Sequence, residues 1–188
     1  MAGALQKRIR RALPLRRTVL KAAHLTMIPL LIWFVLVQPK DITPFGTTAF
    51  RIHSNLALVF VSITLLWFAD YMRRGLAGRP GPRLPRWAKT VHKIMHHTII
   101  WGLMLVALTG FLLGLTSAVL LKAGGFLPIA PPLNYRHWNE AIGAFHTVEF
   151  YALAGLIVVH AGFHAWRHFV LRDNALRIMA PKRWFKYL

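Results

Sequence analysis

The chain has 188 residues, of which 56% are hydrophobic and only 15% charged, less charge than soluble domains carry. It contains no cysteine, which excludes disulfides, thiolate metal sites, iron–sulfur clusters and covalent c-type haem attachment. The net charge of +19 sits in blocks between apolar stretches, not as a stripe on a polar fold, so it excludes a nucleic-acid binder and points to a membrane.

Met1 to Lys21 is a basic arm with seven Lys and Arg residues. No small-residue cleavage site follows the next apolar stretch, so the arm reads as retained and not as a signal peptide. The first span, about 22–38, carries His24 near its start and Pro29 inside it, which a membrane bundle tolerates. Gln38 to Arg51, with Pro39, Pro44 and Gly46, reads as a loop. The second span, about 52–71, opens with His53. Arg73 to Lys93 is a Pro/Gly/Arg linker, too polar and broken to cross a bilayer. The third span, about 96–121, contains Gly110 and Gly114 in a small-xxx-small pattern, common where membrane helices pack. Lys122 to Glu140 is a loop with Pro128, Pro131 and Pro132, and with Tyr135 and Trp138 suited to an interface.

The fourth span, about 143–170, runs through AFHTVEFYALAGLIVVHAGFHAWRHFVL and carries His146, His160, His164 and His168. Ionisable residues inside a bilayer are expensive and mark functional sites. His146 and His160 lie 14 positions apart, which on a helix puts them within roughly 40° of one face. They are separated by roughly 21 Å along the axis, most of a hydrocarbon core of about 30 Å. A basic tail, Arg172 to Leu188, closes the chain, and no internal repeat is visible. The expected fold is all-α: one four-transmembrane-helix bundle spanning residues 1–188.

Of the 24 Lys and Arg residues, the arm, the second-to-third linker and the tail from Arg167 hold twenty, and the two other loops hold four. The positive-inside rule then places both termini in the cytoplasm. This topology sorts the histidines by depth. His24, early in the first span, is level with His160, late in the fourth; His53, opening the second, is level with His146. Two facing imidazole pairs at two depths suit two bis-histidine haems, since the porphyrin supplies the other four nitrogens. Zinc is a weaker reading, because each depth offers two clear imidazoles and no further matched ligand.

The stretch WNEAIGAFHTVEFYALAGLIVVHAGFHAWRHFVLRDNALRIMAPKR resembles the last helix and tail of the bacterial cytochrome b561 family, and FRIHSNLALVF resembles the start of its second helix. The resemblance covers essentially the whole chain. It implies a di-haem b, four-helix electron carrier of the bacterial inner membrane, often reacting with quinone and in one member type oxidising superoxide. It implies His24 with His160 on the cytoplasmic-side haem, and His53 with His146 on the outer haem. His164, one turn beyond His160, competes with it as ligand, and His96 and His97 match a family position that is not a ligand. His92, His137 and His168 are expected at interfaces, bonded to solvent, lipid or propionate. Glu149 is either a proton group or a partner for a neighbouring helix. Arg51, two residues before His53, is a natural propionate partner.

With both axial positions filled, such haems relay electrons and do not perform bond chemistry. The expected function is electron transfer between a periplasmic donor and the quinone pool, with lipids and quinone as partners and no nucleic acid. One alternative is a haem-b anchor subunit of a larger respiratory dehydrogenase, docking partner subunits on its outer loops. Another is a superoxide oxidase. A third class is a transporter or structural membrane protein whose histidines carry protons or pack.

Overall fold

Four long helices carry the chain: α1 (Arg16–Leu36), α2 (Gly46–Arg74), α3 (Arg86–Thr116) and α4 (Arg136–Phe169). The computed structural model describes residues 16–187 apart from Arg79, Gly124 and Pro181, and the basic arm as far as Leu15 lies outside the described residues. Each of the four has a stretch long and apolar enough to cross a membrane. In hydrocarbon a backbone must satisfy its own hydrogen bonds, and an unbroken helix does so. Large apolar side chains on their outer surfaces, such as Leu66 (73% exposed) and Val158 (71%), would be an aggregation hazard in water. On spanning helices they are the lipid face.

Neighbouring helices run antiparallel, and polar contacts at the two ends show it. At one end, called here the basic end, Arg16 at the start of α1 donates to Asp70 near the end of α2 (2.9 Å) and to the Gly75 carbonyl (2.8 Å). Gly75 closes α2 with a positive φ of 68°, its N–H donating to the Tyr71 carbonyl, a backbone conformation that glycine adopts without steric penalty. At the other end, Asn139 near the start of α4 donates to the Leu113 carbonyl (2.7 Å) and to Thr116 (3.0 Å) near the end of α3. The most extensive interface joins α3 and α4. Small residues permit it: Gly102 lies under Leu153, where an added Cβ would come within 2.9 Å of a side-chain methyl.

The core lies midway along the bundle and consists of Met27, Leu30, Phe60, Leu103, Val106, Phe150 and Leu153. In sequence these residues fall between His24 and Trp33 on α1 and between His146 and His160 on α4. The apolar layer therefore separates two histidine levels.

The segments expected to be loops are more ordered than composition implied. Pro39–Ile42 is a helical turn, Thr43–Phe45 a 3-10 turn, and α2 starts at Gly46, so Arg51 and His53 sit inside a helix. Proline at a first helical position costs no hydrogen bond, and Asp41 accepts the Gln38 N–H at 2.8 Å to cap the turn. In the linker, every helix breaker precedes Arg86, so α3 begins ten residues before His96. It ends at Thr116, short of Leu121, because the Ser117 hydroxyl donates to the Gly114 carbonyl and accepts the Val119 N–H, a local competitor of helix continuation. Leu121–Ala123 (β1) instead pairs antiparallel with Leu127–Ala130 (β2). This hairpin marks the second end of the bundle, called here the hairpin end.

After α4 the chain reverses through Arg172 (φ 52°) and Asn174 (φ 59°) into α5 (Ala175–Met179). Two left-handed non-glycine residues are uncommon. They place Asp173 against Arg167, with Nη2 to Oδ2 at 2.7 Å and side chains 1% and 2% exposed. Asp173 also accepts the Ala175 N–H at 3.0 Å. Gly81 from the linker packs on the pair, where a Cβ would stand 2.8 Å from Asp173 Oδ2. Arg83 reaches over it to the Arg172 carbonyl at 2.5 Å.

Candidate functional site

The histidines sort into two levels, one on each side of the apolar core. At the hairpin end, α4 presents His146 to α3, where Gly110 leaves room for the ring. A Cβ on Gly110 would lie 3.2 Å from His146 Cε1. Beside it, Thr109 Oγ1 stands 2.8 Å from His146 Nδ1 and donates to Glu149 Oε1. This bond joins Glu149 to the neighbouring helix α3. His53 on α2 lies against Trp33 and Phe34 of α1. The Trp33 indole N–H donates to His53 Nδ1 at 3.3 Å, and the Phe34 ring meets it edge-on at 5.1 Å. Among the described residues His53 and His146 make no ring contact or hydrogen bond with each other. Arg51 is exposed and its stem lies over Gly125 in the hairpin turn.

At the basic end the structure brings His24 and His160 together, with ring centres 6.5 Å apart. It also brings in His164, expected as a competing ligand, together with His96 and His92, which were not expected as ligands. His96 Nε2 is 3.4 Å from His160 Nε2, and the His164 ring lies 4.6 Å from that of His160. His92 stacks on His96 at 4.1 Å. One nitrogen from each of His92, His96 and His164 lies within 4.8 Å of the others, close enough to hold a metal ion. The expectation that each depth holds only two imidazoles is therefore wrong at this level. His92 and His168 are not open to solvent either: they are 2% and 9% exposed. His137, by contrast, is exposed and lies against the Trp138 ring. The spacing of His92 and His96, one turn apart on one face, was the available signal. It was missed because composition hid the first ten residues of α3.

Backbone contacts fix the state of two rings. The His92 carbonyl can only accept, so His96 donates through Nδ1 at 2.7 Å and keeps its Nε2 lone pair free. His97 likewise donates Nδ1–H to the Lys93 carbonyl at 2.8 Å. A groove of about 740 Å³ opens beside His92 and His97, lined also by Leu76, Lys89 and Lys93.

Do these residues fit a haem? An axial imidazole nitrogen stands about 2.0–2.1 Å from a metal, so two rings on one iron have centres roughly 6 Å apart. His24 and His160 match that spacing. His24 Nδ1 is buried without a hydrogen-bond partner, the condition that a missing ligand explains; His164 Nε2 is likewise unpartnered, which keeps His164 as the competitor of His160. His146 fits too, because its Nδ1 is engaged and its Nε2 is left for a metal. Neutral imidazole in apolar surroundings is a haem donor set, and no thiolate or carboxylate cluster competes among the described residues.

No curated protein sequence matches the chain. A family model described as prokaryotic cytochrome b561 matches residues 17–182, covering all four long helices and the turn of α5. The chain therefore belongs to the prokaryotic cytochrome b561 family, multi-pass proteins of the bacterial inner membrane that bind haem b and transfer electrons.

Proposed function

We propose that the protein is a two-haem cytochrome that passes electrons between a donor at the outer face of the membrane and the quinone pool. The observation that carries the reading is the placing of imidazoles on α4. His160 has His24 6.5 Å away ring to ring, and fourteen positions earlier on the same helix His146 lies on the other side of the apolar core, the side where α2, which carries His53, begins. In this reading the basic end faces the cytoplasm, as the distribution of Lys and Arg favours, and both termini lie on that side. His24 and His160 hold one haem near the cytoplasm; His53 and His146 hold the other near the outer face. When bound, the haems supply one-electron redox chemistry, with no open axial site for bond chemistry.

The chain's own residues do the rest. Thr109 orients His146, and Gly110 admits its ring. Ligation through His53 Nε2 would put the proton on Nδ1, and the Trp33 N–H that now points at Nδ1 would have to turn away from it. The apolar layer around Leu30, Phe60 and Leu153 keeps water from joining the two levels. At the cytoplasmic mouth, His92, His97 and Lys93 line a groove whose Leu76 side offers apolar contact, a suitable berth for a quinone head that takes up protons. Superoxide as donor would need a cationic outer surface to steer it. Arg136, one of few basic residues there, is already paired with Glu140 at 2.9 Å.

One observation favours a second reading, an anchor subunit of a larger dehydrogenase. The hairpin exposes Phe126 (81%) and Leu127 (58%), an apolar surface at the outer end that a partner subunit would cover. Co-purification of a second chain from native membranes separates the two.

The experiment that tests the main reading uses His160→Ala in the full-length protein. An outside donor still reduces the His53/His146 site, seen as an α-band in the difference spectrum, while quinone turnover is lost. Normal quinone turnover in that variant would put the quinone pocket beside the outer haem and take His160 off the path. A colourless wild-type protein would instead favour a transporter or structural role.

A further inference from the structure

We propose that Thr109 and Glu149 are positioning residues for the outer haem: they fix the tautomer of His146 and lower the reduction potential of the haem it holds. The inference rests on His146 being an axial ligand, and the geometry carries it from there. Thr109 Oγ1 has one hydrogen and lies within bonding distance of the Leu105 and Val106 carbonyls (3.0 and 3.2 Å) as well as of Glu149 Oε1 and His146 Nδ1. Whichever of these oxygens takes that hydrogen, the hydroxyl can only accept from the ring, so the proton of neutral His146 is held on Nδ1. Nε2 then carries the lone pair a metal needs. Glu149 Oε1 also lies 3.4 Å from His146 Nδ1 itself, because residues three apart share a helix face.

This contact is built, not incidental. The Glu149 side chain is 9% exposed and Thr109 is 7% exposed, within spanning helices where an acid is expensive to keep. Glu149 Oε2 is buried with no partner, so the acid's one set of polar contacts is this relay. Gly110, the next residue on α3, sets the ring close enough to reach it. An acceptor behind a ligating imidazole raises its basicity, which stabilises the ferric over the ferrous state and lowers the potential. In a low-dielectric site that polarisation is poorly screened. Among the described residues no carboxylate or hydroxyl is bonded to His160, whose Nε2 lies 3.4 Å from His96 Nε2. The relay therefore sets the outer haem below the inner one, the order that favours electrons entering from outside.

The test is a spectroelectrochemical titration of the purified holoprotein, with haem content measured on the same samples. In Glu149→Gln and in Thr109→Val, one of the two midpoint potentials moves upward, the other stays, and both haems are retained. Thr109→Ser, which keeps the hydroxyl, restores the wild-type value, an outcome that a merely structural role would not single out. Unchanged potentials in Glu149→Gln and Thr109→Val, or equal shifts of both haems, would overturn the relay. If Glu149→Gln loses haem, Thr109→Val decides by the same criterion. His146→Ala separates the two levels of inference. Two haems retained in His146→Ala would remove the ligand assignment itself, whereas loss of one haem there with unmoved potentials in the relay variants would remove only the relay.

Discussion

His160→Ala halves the haem content of the purified protein, and His164→Ala does not. The expectation follows from the spacing of the rings. His160 is the α4 histidine that faces His24 at 6.5 Å, while the His164 ring contacts are with His92, His96, His160 and Phe163. Removing an axial imidazole would leave iron one ligand short, so any residual binding turns high-spin. The remaining haem, at the hairpin end, lies across the apolar core and keeps its spectrum. Pyridine haemochrome assay against protein concentration reads the outcome. If His164→Ala loses the haem and His160→Ala keeps it, the ligand lies one turn further along α4. His96→Ala adds a control: it removes no first ligand, so both haems remain.

The second large effect is on stability. Asp173→Ala leaves Arg167 buried at 1% exposure without its carboxylate, and Arg167 Nη1 already has no partner. Breaking a buried ion pair from one side costs about 3–5 kcal/mol, against a net stability of only about 5–15 kcal/mol for a typical domain. The denaturant midpoint in detergent falls accordingly, and the turn over Gly81 loosens first. Replacing both partners, Arg167→Met with Asp173→Ala, recovers much of the loss, because no lone charge remains buried. A midpoint unchanged in Asp173→Ala would show that the pair is solvated in the membrane-bound protein.

How much of this was legible beforehand varies with the kind of interaction. Local patterns survived translation well: apolar length announced four crossings, and helical spacing put His146 and His160 on one face. Chain direction through alternating spans set His24 level with His160, whose rings the structure places 6.5 Å apart. What composition obscured was the start of α3. Pro80, Pro82 and Pro85 made the whole linker look broken, although they all precede Arg86, and so His92 was read as interfacial while it is buried. Polar contacts between helices were not legible. Glu149 was visible as a costly acid, but its partner Thr109 sits 40 residues away, and a lone threonine in an apolar span has no signature. Arg167 and Asp173 are six apart, joined only because two left-handed residues turn the chain back, a geometry that RDN spells only in hindsight.

The central claim is that two histidine pairs hold two haems in one chain. Its most direct test is a redox-difference spectrum of the purified wild-type protein with the haem-to-chain ratio and the spin state measured together. The account predicts a ratio near two, with both irons six-coordinate and low-spin. A ratio near one, or a high-spin signal from most of the iron, would contradict it.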